Sequence, residues 1–180
     1  MNFKVILLIT SIILLVSIVS VVYYKSNYKT LDEAIRETNI PIDEIFHNID
    51  FKDHTIIFYG KEDVLSVGLI EKTHLGYRWS VGAGSKHFNE ENLILTRMFS
   101  NLHPREIKLD EDLVSLSFGV IYEDALEKIR IKYKDQDLTE ATIIETSKGR
   151  IWYSFSNTPV NYDPEVTRFY KDGKVKSEWY

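Results

Sequence analysis

Five histidines, His47, His54, His74, His87 and His103, are the residues of this chain best suited to proton transfer or metal ligation. Two of them stand beside carboxylates, in Asp50-Phe51-Lys52-Asp53-His54 and His87-Phe88-Asn89-Glu90-Glu91. A carboxylate within reach of an imidazole can orient it as a general base. The spacing nevertheless matches no His-Glu-x-x-His or comparable ligand pair. The chain has no cysteine, so neither a thiolate metal site nor a nucleophilic thiol is available, and no disulfide supports the fold. Among 27 Asp and Glu residues, neighbours of this kind arise without function, so no catalytic residue, metal ligand or cofactor is assigned. Convergence of the histidines in one cleft would favour the alternative, a metal-dependent or acid-base hydrolase acting on envelope material.

Lys128, Arg130, Lys132 and Lys134 alternate with Ile129, Ile131 and Tyr133. On a strand, this period places the four cations on one face and the apolar residues on the other. Such a stripe suits an anionic polymer, a lipid headgroup or an acidic partner, and equally suits the wet face of an antiparallel sheet or a lysine-protected edge strand. The solvated-face reading is the simpler one. Gly82-Ala83-Gly84-Ser85 lacks the third glycine and the following helix of a dinucleotide cradle, and Ser85 lies in no Gly-x-Ser-x-Gly elbow. A strand end or bulge is expected there. Asp110-Glu111-Asp112 has neither the spaced oxygens nor the glycine of a calcium loop and reads as a solvated turn. Trp79, Trp152 and Trp179 fall on strand patterns and are expected to pack rather than to line a groove.

The elements that carry these residues follow from capping and periodicity. Thr30-Leu31-Asp32-Glu33 is a capping box that starts a short helix from Leu31 to about Thr38, ended by Asn39 and Pro41. Ile42, Ile45 and Phe46 suggest a second helical or irregular piece over Ile42 to Asn48. Beyond Asp50 the apolar period changes to two, predicting a meander of His54 to Tyr59, Val64 to Glu71 and Tyr77 to Val81. Asn92 to Met98 is ambiguous between strand and helix, and Pro104 marks a turn. A second strand series runs Leu113 to Tyr122, Glu127 to Tyr133, Thr139 to Thr146 and Arg150 to Phe155. The last hairpin, Val166 to Tyr170 and Val175 to Trp179, turns at Asp172-Gly173. Ile70 to Val81 echoes Ile144 to Phe155, each an apolar strand, a glycine turn and a Trp-bearing strand, which shared hairpin chemistry explains most simply. A true duplication would place a sub-boundary near 101–111.

The chain opens on a run without charge, Val5 to Val22, between Met1-Asn2-Phe3-Lys4 and Tyr23-Tyr24-Lys25. As a helix it reaches about 27 Å, close to the hydrocarbon thickness of a bilayer. The run is longer than a secretory h-region and contains no Ala, so an uncleaved signal anchor over 1–25 is expected. Secretion after cleavage near Ser17 or Ser20 is the alternative. Lys4 on one side and Lys25, Lys29 and Arg36 on the other do not decide orientation by count. A very short basic head on a single span usually stays in the cytoplasm, which sends residues 26–180 outside. Tyr23 and Tyr24 suit the headgroup level.

The 22 Lys and Arg residues against 27 acidic ones give a net charge of −5, which argues against nucleic acid as a partner. Residues 26–180 suffice for a domain with a real core, and the aromatic content of 13% supplies bulky material for it. The fold class expected is α+β: an N-terminal transmembrane helix, a short helical lead and a mainly antiparallel body of one or two β-subdomains.

Glu33-Ala34-Ile35, Ile57-Phe58-Tyr59, Gly76-Tyr77-Arg78-Trp79 and Gly82-Ala83-Gly84 together resemble small membrane-anchored or secreted proteins of Gram-positive bacilli that carry no assigned activity. The similarity covers Thr30 to Ser85 and is looser beyond. It implies an envelope location and transfers no functional residue. The expected role is a binding or accessory module, with the membrane as partner through residues 5–22 and an envelope protein or anionic polymer as a further partner.

Overall fold

The computed structural model describes residues 3–25, 27–88, 93–105, 113–161 and 164–178. Helix α1 (Phe3–Lys25) forms from the uncharged run, and α2 (Leu31–Arg36) follows the Thr30 cap. The Thr30 hydroxyl accepts from the Glu33 amide, as the capping box requires, but the Glu33 carboxylate reaches the Lys29 amide instead of that of Thr30.

Twelve strands follow among the described residues, and every pairing is antiparallel. The first sheet is the meander β1 (Glu44–Phe51), β2 (His54–Lys61), β3 (Val64–Thr73) and β4 (Gly76–His87). The second is formed by β5 (Met98–Leu102), β6 (Val114–Ile121), β10 (Gly149–Ser156) and β9 (Thr142–Thr146), in that order. The third runs β12 (Val175–Glu178), β11 (Glu165–Tyr170), β7 (Leu126–Lys132) and β8 (Thr139–Glu140).

Alternation along the strands determines how the sheets stack. Ile56, Phe58, Leu65 and Val67 of the first sheet meet Leu116, Phe118, Ile151 and Tyr153 of the second in one apolar layer. The opposite face of the second sheet sends Ile121 and Trp152 against Ile129, Ile131 and Val166 of the third. The outer face of the first sheet, with Ile57, Tyr59, Ile70 and Trp79, is covered by Ala34 and Ile35 of α2. The order of layers is therefore α2, first sheet, second sheet, third sheet. Strands β2 and β6 are covered on both faces: β2 carries the unbroken apolar run Ile56 to Tyr59, and β6 alternates large apolar residues with the small residues Ser115, Ser117 and Gly119, all of them buried.

Three expectations change. Ile42 to Asn48 is not helical, because β1 begins at Glu44. A bulge between Ile45 and His47 leaves Phe46 as an extra residue, which breaks the two-residue period and mimics helical spacing. The expected strand from Thr139 to Thr146 is two strands, since Ala141, buried and bonded to the Ile129 carbonyl, marks where the chain leaves the third sheet for the second. Strand β7 is not an edge, being paired to β11 on one side and β8 on the other.

Candidate functional site

The site begins with a turn. In Thr73-His74-Leu75-Gly76 the Thr73 hydroxyl accepts from the Leu75 amide and lies 3.2 Å from the Gly76 carbonyl, closing the β3–β4 hairpin. Gly76 adopts φ +127°, and a Cβ there would collide with the Tyr28 carbonyl oxygen. That close approach lets Tyr28 and Tyr77 exchange two backbone hydrogen bonds, of 2.8 and 2.7 Å. Asn27 adds a second link: its side-chain amide donates to the Tyr23 carbonyl at the end of α1, and its oxygen accepts from the Thr73 hydroxyl. The apolar helix is thus clamped to the β3–β4 turn.

Beside the clamp, cross-strand register assembles a polar row on the face that packs toward the second sheet. His54 of β2 lies opposite Glu71 of β3, which lies opposite Arg78 of β4. All three are buried. Glu71 accepts from Arg78 Nε at 3.0 Å and from the second guanidinium nitrogen, while its other oxygen accepts the Arg105 amide. Burial alone would raise the Glu71 carboxyl, but the Arg78 guanidinium and the Arg105 N–H outweigh it and hold the group below its ordinary value. The Arg78 guanidinium also sits 5.9 Å from the centre of the Tyr23 ring.

These groups open on a cleft of about 390 Å³ whose wall includes Tyr23 from α1, Lys52 and Asp53 from the β1–β2 turn, His54 from β2, and Lys72 and His74 from the β3–β4 hairpin. Lys52 takes φ +53° in a two-residue turn between Phe51 and His54. Lys72 bonds Asp50 at 2.8 Å, and the Lys72 ammonium together with the Thr55 hydroxyl holds the Asp50 carboxyl below its ordinary value. The cations here, Lys52, Lys72 and Arg78, are balanced by the carboxylates of Asp53 and Glu71 in the lining and of Asp50 bonded to Lys72.

The histidines divide. His54 and His74 line this cleft, whereas His47 stacks 6.2 Å from Tyr153 and His103, beside Pro104 of the cleft wall, is exposed without being part of the lining; the His87 side chain lies outside the described residues. Among the described residues no group of three His, Asp or Glu is placed to hold a metal ion. The basic stripe behaves as its period requires: Ile129 and Ile131 are fully buried, and Lys128, Arg130 and Lys132 are on the other face. Glu140 of β8 lies 3.2 Å from Lys128 and 4.0 Å from Arg130, and Arg130 also covers the Phe169 ring at 5.1 Å. Lys134 follows the strand and is exposed.

Gly82-Ala83-Gly84 continues β4, with a register shift where Leu65 and Ser66 pair across it, the bulge expected of this segment. Trp79 lies in the outer apolar layer over Gly68, where a Cβ would strike its indole. Trp152 is fully buried and donates to the Thr96 carbonyl at 3.0 Å. Both tryptophans are packing residues. Asp110-Glu111-Asp112, Asn89 to Glu91 and Trp179 lie outside the described residues.

Sequence reasoning passed over Glu71, Arg78 and Lys72. A signal existed, because a hairpin closed at Thr73–Gly76 necessarily sets position 71 opposite 78. No family model, curated protein or solved structure matches the chain.

Proposed function

We propose that the protein is a single-pass anchor whose β-body, exposed at the outer face of the membrane, works by binding as an accessory module of the cell envelope. The observation that carries the reading is the state of α1: residues 5–22 are uncharged, and every one of them is exposed rather than covered by the body. Leucines and isoleucines along it, such as Leu8, Ile13 and Leu15, are open to the surroundings. In water this surface would be strongly unfavourable, whereas in lipid it is matched. The hydroxyls of Thr10, Ser11 and Ser17 bond to carbonyls one turn back, so they present no unsatisfied donor to hydrocarbon. The Asn27 and Tyr28 clamp supports an anchor that stays attached, because cleavage near Ser17 or Ser20 would leave a stub of helix on the body. The reading groups the chain with the envelope proteins of Gram-positive bacilli that it resembles.

The hydrolase reading draws on His54, His74 and Asp53 sharing one cleft. It is the weaker of the two, since the buried carboxylate of the cleft, Glu71, already has both oxygens engaged by Arg78 and the Arg105 amide. Fractionation of cells producing the full chain with a C-terminal epitope tests the proposal. The intact chain is expected in the membrane, resistant to alkaline carbonate, with the epitope digested by protease added to wall-stripped cells. Recovery of the intact chain as a soluble protein would overturn the anchor, and a protected epitope would overturn the orientation.

A further inference from the structure

We propose that β9, at the edge of the second sheet, pairs antiparallel with β9 of a second copy of this chain, joining two four-stranded sheets into one of eight strands. The inference rests on the anchored reading, which holds both copies in one membrane, and assigns that reading a partner.

The finish of the sheet edges is the first argument. An edge strand offers unpaired N–H and C=O groups to any other strand, and folded chains blunt such edges with bulges, lysine, proline or cover. In the first sheet, β1 is bulged at Phe46, while β4 has two register shifts and takes Tyr28 against Tyr77 on its open side. In the second sheet, β5 packs against β4 and stops ahead of Pro104. In the third, β12 is four residues long and contains Lys176. Strand β9 has none of these devices. It runs on from β8, and Thr139 to Thr146 contains no lysine, proline or glycine. Its register with β10 is unbroken, and among the described residues its other side has no backbone partner.

Self-complementarity is the second argument. Strand β9 (Thr142–Thr146) has Ile144 at its centre. A twofold axis through Ile144, perpendicular to the sheet, sets Ile144 opposite its own copy and Thr142 of each copy opposite Thr146 of the other. Directly opposed β-branched pairs stabilise antiparallel strands. Such an axis opposes only residues on the same face of the sheet, so Glu145 meets Ile143 and never a second Glu145. Within its own chain Glu145 lies 3.1 Å from Arg150, which compensates its charge. Ile144 belongs to the apolar layer between the first and second sheets, so the pairing continues that layer from one copy into the next.

Confinement is the third argument. Insertion of α1 restricts all copies to one plane and one side of the bilayer, which raises the effective concentration of one edge at another. A flexible peptide would lose conformational freedom on docking, whereas β9 is already extended and held by β10.

The chain has no cysteine, so an introduced thiol reports on one position. The test oxidises the purified full chain in phospholipid vesicles, reads disulfide-linked dimer on non-reducing gels, and measures carbonate resistance on the same samples. The variants are Ile144→Cys, the double variant Thr142→Cys with Thr146→Cys, each of its single substitutions, and two controls at exposed positions, Val175→Cys on β12 and Val16→Cys on α1. Positions 142 and 146 stand about 13 Å apart along one strand, too far for a bond within one chain. Ile144→Cys and the double variant are each expected to dimerise about tenfold faster than Val175→Cys, with the single threonine variants at the Val175→Cys rate. The double variant keeps the test decisive if a thiol at the half-buried position 144 disturbs the fold. Equal rates at every position would mean random collision and overturn the inference, and a faster rate at Val16→Cys than at both β9 variants would assign association to α1 and overturn it. Absence of β9-linked dimer from a carbonate-resistant chain would overturn the inference and leave the anchor standing, whereas a carbonate-extractable chain would overturn both. Linkage of Ile144→Cys to a different polypeptide in producing cells, without self-linkage in vesicles, would make another protein the occupant and overturn the second copy.

Discussion

Glu71 looks like an ordinary surface carboxylate in the sequence, and its neighbours Lys72 and Thr73 reinforce that impression. In the fold it is 5% exposed and takes three donors from Arg78 and Arg105. Removing its charge strands the buried Arg78 guanidinium, so Glu71→Gln is expected to destabilise the protein by about 3–5 kcal/mol, as measured by urea unfolding of the full chain in detergent. The pH dependence follows from the direction of the shift. Because the folded carboxyl lies below its ordinary value of 4.5, its stabilisation is complete above that value and is lost as the pH falls through the folded pKa. The gap between wild type and Glu71→Gln should therefore be constant near neutrality and close in acid. A gap that widened in acid would show that Arg78 does not rely on the ionised form. The pairing of 71 with 78 was accessible from a hairpin prediction, but the arrival of the Arg105 amide from thirty-four positions away was not.

At the scale of elements, two hairpins use the same chemistry with different consequences. Thr73-His74-Leu75-Gly76 and Thr146-Ser147-Lys148-Gly149 close alike, each with the threonine hydroxyl accepting from the residue two ahead and a final glycine near φ +125°. This accounts for the internal echo without requiring duplication. The sites differ in surroundings: a Cβ on Gly76 meets the Tyr28 backbone, whereas one on Gly149 meets nothing within 4 Å. Gly149→Ala should cost only backbone strain, about 1–3 kcal/mol. Gly76→Ala carries that strain and also opens the clamp, so hydrogen exchange should accelerate at Tyr28 and Tyr77 in Gly76→Ala alone. Equal protection of Tyr28 in both variants would remove the clamp from the account. The alternation of β7 was legible because a period of two is a local property. Its place inside a sheet was not, because that depends on β8 and β11 arriving from further along the chain.

Across the whole molecule, stacking of three sheets under one short helix makes the apolar layers interdependent. Phe58 stacks on Tyr153 at 5.0 Å and meets Phe118 edge-on at 6.1 Å, joining the first sheet to the second. Phe58→Ala is expected to cost about 3–5 kcal/mol. Trp79 in the outer layer and Trp152 between the second and third sheets report on different interfaces. Single-tryptophan variants should nonetheless lose their fluorescence signals at one common urea concentration, and separate midpoints would show that the layers unfold independently. The sequence by itself determined the apolar helix, the capped lead, most strands and the solvent-facing side of the basic stripe. Each of these depends on hydropathy, alternation or turn chemistry within a few consecutive residues. Tertiary structure alone decided the order of the layers, the bulge that turned Ile42 to Asn48 from apparent helix into strand, and the burial of His54, Glu71 and Arg78 beside Tyr23. Those outcomes depend on register and on which sheet covers which, and the contacts that set them join residues far apart in the chain.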